Sequence, residues 1–399
     1  MPSSLFSVPF FTRFWLSRSA SGFAYQMLSV AVGWQVYELT HSPMSLGLIG
    51  LMQFLPQFLL TLPAGHVADQ FERRRIVIIC QCGQAAVTLV LALGSLSGWL
   101  NEWAIFACAF VIGACRAFEM PTLQAVLPGL APQGLLPRML AWSASVWRVA
   151  VIMGPALGGV LYLAGSAWVY GVCALFFVLA ALCVGGIPKP ARPKGREPAT
   201  LRSVLGGIEY IRGHPQILGA ISLDLFSVLL GGATALMPVF ARDILHTGPW
   251  GLGMLQSAPS VGALAMSLYL TRRPLSHGVG KKMFAAVALF GLATVVFGFS
   301  RCMPVSLAAL AVLGASDMIS VVIRATLVQI ETPDELRGRV SAVNSIFIGT
   351  SNQLGEFESG LTAAWFGTVG SVVVGGLGTL VVVLLWMRLF PSLLRRDKL

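Results

Sequence analysis

Charge is scarce in this chain. Only 11% of its 399 residues are Asp, Glu, Lys or Arg, against about 25% in an ordinary soluble domain. Lipid is therefore the expected main solvent for a chain that is 56% hydrophobic. Acids are rarer still, 16 against 27 Lys and Arg. The resulting net charge of +11 does not mark a nucleic-acid binder, because the basic residues punctuate apolar runs instead of gathering on one soluble segment. No Cys-x-x-Cys is present and no His cluster accompanies the seven cysteines, which argues against a metal site or a disulfide framework. They read as small apolar thiols packed between helices. There is no His-Glu-x-x-His, no Gly-x-Ser-x-Gly and no Gly-rich phosphate loop with its Lys. A membrane-embedded enzyme and an ATP-driven device are disfavoured on that ground, and no cofactor or metal is expected. The N-terminus also lacks the basic region, short apolar core and cleavage site of a signal peptide. Its first apolar helix, interrupted by Arg13 and Arg18, reads as a retained span.

Long apolar runs are what the chain has instead. A span needs about 20 mostly apolar residues. Twelve such runs are found, near 14–37, 44–65, 76–98, 103–126, 139–163, 166–187, 216–240, 250–270, 282–300, 304–328, 340–366 and 369–390. Between the sixth and seventh lies a basic, Pro-rich stretch from Pro188 to Pro198, followed by a helical pattern from Leu201 to Gly213 that suits a surface-lying helix. The predicted organisation is 1–187 as an N-terminal six-helix bundle, 188–214 as a cytoplasmic linker and surface helix, and 215–399 as a C-terminal six-helix bundle. With the N-terminus inside, twenty basic residues fall in cytoplasmic segments and only Arg242 and Arg301 in outer loops. That asymmetry predicts cytoplasmic termini.

The halves repeat. At a shift of 201 residues, Gly113-Ala114 falls on Gly314-Ala315, Pro132 on Pro333, Arg138 on Arg339, Gly154 on Gly355 and Gly159 on Gly360. Parallel six-span repeats with a site at their interface are one way secondary transporters are built. A channel, which needs rings of groups about a symmetric pore, fits this pattern less well.

The stretch from Leu62 to Arg75 is a polar break between two apolar runs. It resembles the cytoplasmic motif Gly-x-Leu-x-Asp-Arg-x-Gly-Arg-Lys/Arg of the major facilitator superfamily. Gly65, Asp69, Arg73 and Arg74 match, Val67 stands for Leu, Gln70 for Arg and Glu72 for Gly. Gly154-Pro155-Ala156-Leu157-Gly158-Gly159 is similar to the family's exporter-associated Gly-Pro motif. The stretches 314–320, 334–344 and 355–360 resemble the enterobactin-exporter-like bacterial branch. The resemblance covers essentially the whole chain. It implies an all-α polytopic membrane protein of twelve transmembrane helices in two pseudo-symmetric bundles. It implies a secondary active transporter of the bacterial inner membrane, a proton-coupled exporter working by alternating access on a small amphipathic or anionic molecule such as a siderophore or drug. A lipid-handling or non-transporting receptor of the same fold is the alternative. The expected partners are the small-molecule substrate, protons and membrane lipid, and the expected state is a monomer.

Ionisable residues inside a span are costly and are functional candidates by default. If spans 1, 4, 7 and 10 line one chamber, as the resemblance implies, the N-terminal half offers Arg18 and Arg116 where the C-terminal half offers Asp224 and Asp317. The carboxylates are then candidates for proton coupling, with Glu356, Glu358 and Glu119 beside them. Arg18, Tyr25, Arg116, Asn344, Asn352 and Arg324 are candidates for substrate contact, with Trp34 and Trp142 as further aromatic surfaces. The bland alternative is a set of static pairs along single helices, Arg116 with Glu119 and Asp317 with Arg324. Gating is expected of Gly65, Asp69, Arg73, Arg74 and Arg148, and of the close-packing Gly154, Pro155 and Gly159. Asp69 is expected to meet the positive helix N-terminus around 333–339 when the transporter is closed inside.

Overall fold

The computed structural model describes residues 9–132, 134–188 and 201–398. Regular structure among them is helical. The helices α1 (Pro9–Thr40), α2 (Pro43–Gln70), α3 (Arg73–Ser97), α4 (Glu102–Val126), α5 (Leu136–Tyr162) and α6 (Ser166–Gly185) occupy the first half. A short amphipathic α7 (Leu201–Gly213) opens the second half. After it come α8 (Pro215–Leu230), the three-residue α9 (Met237–Val239), α10 (Gly248–Arg272), α11 (Val279–Phe299), α12 (Met303–Glu331), α13 (Asp334–Leu389) and a terminal turn, α14 (Pro391–Leu394). At about 1.5 Å per residue, even the 20 residues of α6 reach across a hydrocarbon core about 30 Å thick.

Nine helices among the described residues are long and apolar enough to cross a membrane. One of these, α13, is two helices in sequence. Its 56 residues bend at Gly367, whose φ of 75° and ψ of 161° suit a residue without a Cβ. The arms 334–366 and 368–389 coincide with two predicted spans. The helices α1 and α10 have the length but less apolarity, because α1 carries Arg13, Arg18 and Glu38 and α10 is rich in Gly and Ser. With these two, and with α13 taken as its arms, the helices correspond to the twelve predicted spans.

Two elements differ from the sequence reading. The predicted span 216–240 is broken: α8 ends at Leu230, and after Gly231-Gly232 the chain continues as a 3-10 turn, the short α9 and a π turn to Ile244. Gly231 and Gly232 weaken the helix, and Pro238 has no N–H to continue its ladder. The supposed polar break after span 2 is also shorter than predicted. The helix α2 runs on to Gln70, leaving only Phe71 and Glu72 before α3.

The described residues pack as two units, one of 9–40 with those from 52 to 188, the other of 41–51 with 201–398. In the first, α1 packs on α5 and α6, and α3 on α4 and α6. A core of Phe11, Phe14, Val77, Leu123 and Met139 closes one end. In the second, α8 packs on both arms' helix α13, and α11 on α12 and α13, around Leu223, Phe284, Ile323 and Leu327. The same pairings thus occur twice, and the repeated glycines explain why. A Cβ at Gly154 would lie 2.5 Å from the Gln26 Cβ of α1, and one at Gly355 would lie 2.8 Å from the Leu229 carbonyl of α8. A Cβ at Gly113 would lie 2.9 Å from Pro56 of α2, while Gly314 is pressed against the Pro259 backbone of α10. Only glycine allows these backbone approaches.

The helix α7 docks its apolar face. Ile208, Tyr210 and Ile211 pack with Ile217, Val328, Val340 and Val343. The Tyr210 hydroxyl donates to the Glu331 carbonyl at 2.6 Å.

Candidate functional site

In the first unit a polar cluster forms where four helices each turn one face inward. On α1, Ser17, Arg18 and Tyr25 share a face, because seven residues make about two turns. On α3 the face is Gln81, Gln84 and Thr88, on α4 Arg116 and Glu119, and on α5 Ser143 and Trp147. Glu119 is fully buried and Arg116 is 8% exposed. The Gln84 and Gln81 amides donate to the Glu119 carboxylate at 2.7 and 3.1 Å, and Gln81 also donates to Ser17. The Arg116 guanidinium lies 3.8 Å from Glu119 and stands over two rings, 4.0 Å from the Tyr25 centroid and 5.6 Å from that of Trp147. Arg18 lies 5.8 Å from the same Trp147 ring and donates to the Ser143 carbonyl at 3.2 Å. Tyr25 donates to Gln53 of α2 at 3.1 Å. Each cation–π contact of this desolvated kind contributes about 2 kcal/mol. Two arginines and one glutamate leave the cluster with one net positive charge.

In the second unit the sign is reversed. On α12, Asp317, Ser320 and Arg324 recur at helical spacing. Arg324 bonds Asp224 of α8, and both side chains are almost fully buried. Asp317 lines two spaces. One, of about 10 Å³, also touches Asp224 and Ser320. The other, of about 230 Å³, is also lined by Thr234 of the broken segment, Ser260 of α10 and Asn352 of α13. The arrangement corrects the pairing read along α12. Asp317 and Arg324 are about 10.5 Å apart along the axis, and the guanidinium instead meets the carboxylate that α8 brings to its level.

Other predicted residues are placed as follows. Glu356 lies against Gly50 of α2, where a Cβ would sit 2.8 Å from its Oε2. One turn on, the backbones of Gly47 and Gly360 touch, a Cβ at Gly47 lying 3.0 Å from the Gly360 Cα. Glu358 is half-buried on α13. Asn344 is half-buried with its side-chain oxygen unpartnered, and Asn352 is exposed, bonding the Ile348 carbonyl. Pro155 and Gly159 are buried in α5, whereas Arg148 is exposed on it. Trp34 is buried edge-on to Tyr162 and Trp142 is exposed; Trp147 provides the ring at the arginines.

At the α2–α3 turn, Arg73 donates to the Ala125 carbonyl at the end of α4 at 2.9 Å. Arg74 donates to Ile187 beyond α6 at 2.9 Å. Cations at helix C-termini of this kind contribute about 0.3–1 kcal/mol each. Glu72, where the motif has Gly, pairs with Arg74 at 3.3 Å and Arg75 at 3.0 Å. Nothing lies within 4 Å of a Cβ built at Gly65. The Asp69 side chain and linker residues 189–200 lie outside the described residues.

The sequence reading overlooked Gln53, Gln81, Gln84, Trp147 and Ser320. Its neutral polar candidates in the spans were Tyr25, Asn344 and Asn352, although Gln81 and Gln84, three apart in an apolar run, carried a signal of the same kind.

A family model described as a transmembrane secretion effector matches residues 2–395. The chain belongs to the transmembrane secretion effector family. These are transporters of the major facilitator superfamily, not enzymes. The chain is 28% identical over 395 residues to the enterobactin exporter EntS of Citrobacter koseri, covering 97% of this chain and 93% of that one. It is 25% identical, with the same coverage, to EntS of Escherichia coli O1:K1 / APEC. Among solved structures, a bacterial homologue of the iron transporter ferroportin in an inward-facing state superposes with a TM-score of 0.75 at 15% identity, over 99% of this chain and 100% of that one. The nucleoside transporter NupG gives 0.74 at 14%, over 96% and 99%. These structural likenesses establish the fold, an all-helical multi-span architecture.

Proposed function

We propose that this chain is a proton-coupled exporter of a small anionic or amphipathic molecule, a siderophore or a drug. It works as a monomeric antiporter by alternating access in the bacterial inner membrane, with both termini in the cytoplasm. One observation carries the reading. The two units hold buried and half-buried charge of opposite sign, Arg18, Arg116 and Glu119 in one, Asp224, Asp317 and Arg324 in the other. The first set, with Tyr25 and Trp147, suits a flat anion, because a guanidinium fixed on an aromatic face keeps its remaining donors for a ligand. The second set suits a proton. Asp224 already has its arginine, and Asp317 sits beside it at a cavity with no ion pair of its own among the described residues. A substrate anion is taken up at Arg116, and a proton at Asp317 drives the return. Glu356 and Glu358 on α13 and Glu119 are secondary coupling candidates. Gly65, Asp69, Arg73 and Arg74 set the cytoplasmic gate. The relatives named as enterobactin exporters make enterobactin the first compound to test.

The test is uptake of a panel into proteoliposomes with an acidic lumen: enterobactin, a monomeric catecholate, a cationic drug and a neutral sugar. Anionic aromatics should accumulate and the cation and sugar should not. Arg116→Gln should raise the KM for the transported compound about tenfold or more, the effect of losing one charge-assisted hydrogen bond. Accumulation of the cation in preference to the anions would refute the assignment.

A further inference from the structure

The space of about 10 Å³ between α8 and α12 is the size that holds roughly one water. Three serines border it, and they are not equivalent. Ser227 returns its hydroxyl to the Leu223 carbonyl at 2.6 Å, and Ser316 returns its own to Val312 at 2.8 Å. The Ser320 hydroxyl, in a residue 2% exposed, has no partner. A buried hydroxyl normally finds one. The remaining polar groups on this space are the carboxylates of Asp224 and Asp317. A buried water typically makes about three hydrogen bonds, which is the number of groups offered. Asp317 alone of these three also borders the larger cavity of about 230 Å³.

We infer that a single water held by Ser320 carries protons between Asp317 and Asp224, so that the two carboxylates form a relay from the cavity to the ion pair. The inference rests on the proton coupling proposed above. A hydronium in the cavity gives its proton to an Asp317 carboxylate oxygen and becomes water. Asp317 then passes that proton to the held water as the water passes one of its own to Asp224. The water is regenerated and Asp317 is again ionised. Asp224, now neutral, releases Arg324, whose guanidinium keeps its charge. Opening of the α8–α12 pair is thereby tied to a proton entering from the cavity. Asp224 and Arg324 are the titratable or charged side chains facing Asp317 among the described residues; α10, α11 and α13 present Ser260, Phe290 and Asn352 there. Ser320 is a positioning residue in this scheme.

Infrared difference spectra of the full-length protein in lipid nanodiscs, recorded after a downward pH jump, test the relay. The carboxylic-acid bands are assigned by their disappearance in Asp317→Asn and Asp224→Asn. In wild type, the Asp317 band should rise first and the Asp224 band follow. Ser320→Val fills the space, and should leave the Asp317 band while slowing the Asp224 band roughly tenfold or more, as expected for a lost hydrogen-bonded step. Ser320→Ala removes atoms only, cannot overpack, and should slow the same band severalfold. An Asp224 band that rises at the wild-type rate in both Ser320 variants overturns the relay while leaving coupling at Asp317 intact. Absence of any Asp317 band in wild type overturns the coupling reading and the relay together.

Discussion

Removing one partner of the Asp224–Arg324 pair should destabilise the second unit far more than removing both. The side chains are 6% and 4% exposed, so neither charge has water to fall back on. Breaking such a buried pair costs about 3–5 kcal/mol, whereas replacing both partners with neutral groups of similar shape is often close to neutral. Arg324→Gln and Asp224→Asn should each lower the melting temperature by roughly 6–20 °C, taking about 2–4 °C per kcal/mol for a unit of this size. The double variant should recover most of the loss, so that the coupling in the double-mutant cycle, the summed single costs less the double, is about 5 kcal/mol or more. Far-ultraviolet circular dichroism reads the transition, because the second unit is built of helices. Two single variants that each cost under about 1 kcal/mol, with effects that simply add, would show that the pair is not buried as an ion pair and would refute the reasoning.

The glycines separate packing from gating. Gly158→Ala places a Cβ 2.9 Å from the Met27 Cα and should cost about 1–3 kcal/mol by forcing α1 from α5. Gly65→Ala meets nothing within 4 Å inside a helix and should stabilise by about 0.5–1 kcal/mol, so any transport defect it causes reflects gating and is visible as lost uptake at an unchanged or higher melting temperature. Gln84→Leu removes the 2.7 Å donor to buried Glu119 and should cost about 1–3 kcal/mol, measured by the same melt. At the start of α11, the Gly278 N–H and His277 hold the Asp397 carboxyl below its ordinary range. A carboxyl lowered on folding stabilises above its unfolded pKa and loses that contribution as pH falls through the folded one. Hydrogen exchange at Val279 and Gly280, whose amides bond the tail carbonyls of Asp397 and Arg396, should therefore, relative to the intrinsic amide rate at each pH, be slow at neutral pH and quicken below about pH 4. Asp397→Asn should quicken it at neutral pH.

The fold was largely legible because lipid demands long apolar runs and the gene carries the unit twice. The glycine register at a shift of 201 marked real helix crossings, Gly154 on α1 and Gly355 on α8. The break after Gly231 was less visible, since the segment remains apolar throughout and only the Gly-Gly pair and Pro238 hint at it. The pairing of Arg116 with Glu119 was legible in their spacing on one helix, whereas that of Arg324 was not. Arg324 was matched with Asp317 by helical spacing, but which helix passes at its level is a tertiary fact. The approach of Gly47 and Gly50 to Gly360 and Glu356 likewise depends on residues some 310 positions apart, with no local pattern to join them. Neutral groups such as Gln81, Gln84 and Ser320 acquire meaning only once burial shows what they must satisfy.

The central claim is that Asp317 couples transport to protons. Proteoliposomes with an acidic lumen, given a labelled compound that the wild-type protein transports, test it by comparing accumulation under the gradient with exchange at equal pH. Asp317→Asn should abolish gradient-driven accumulation while retaining exchange. Accumulation by Asp317→Asn that still follows the pH gradient as in wild type would contradict it.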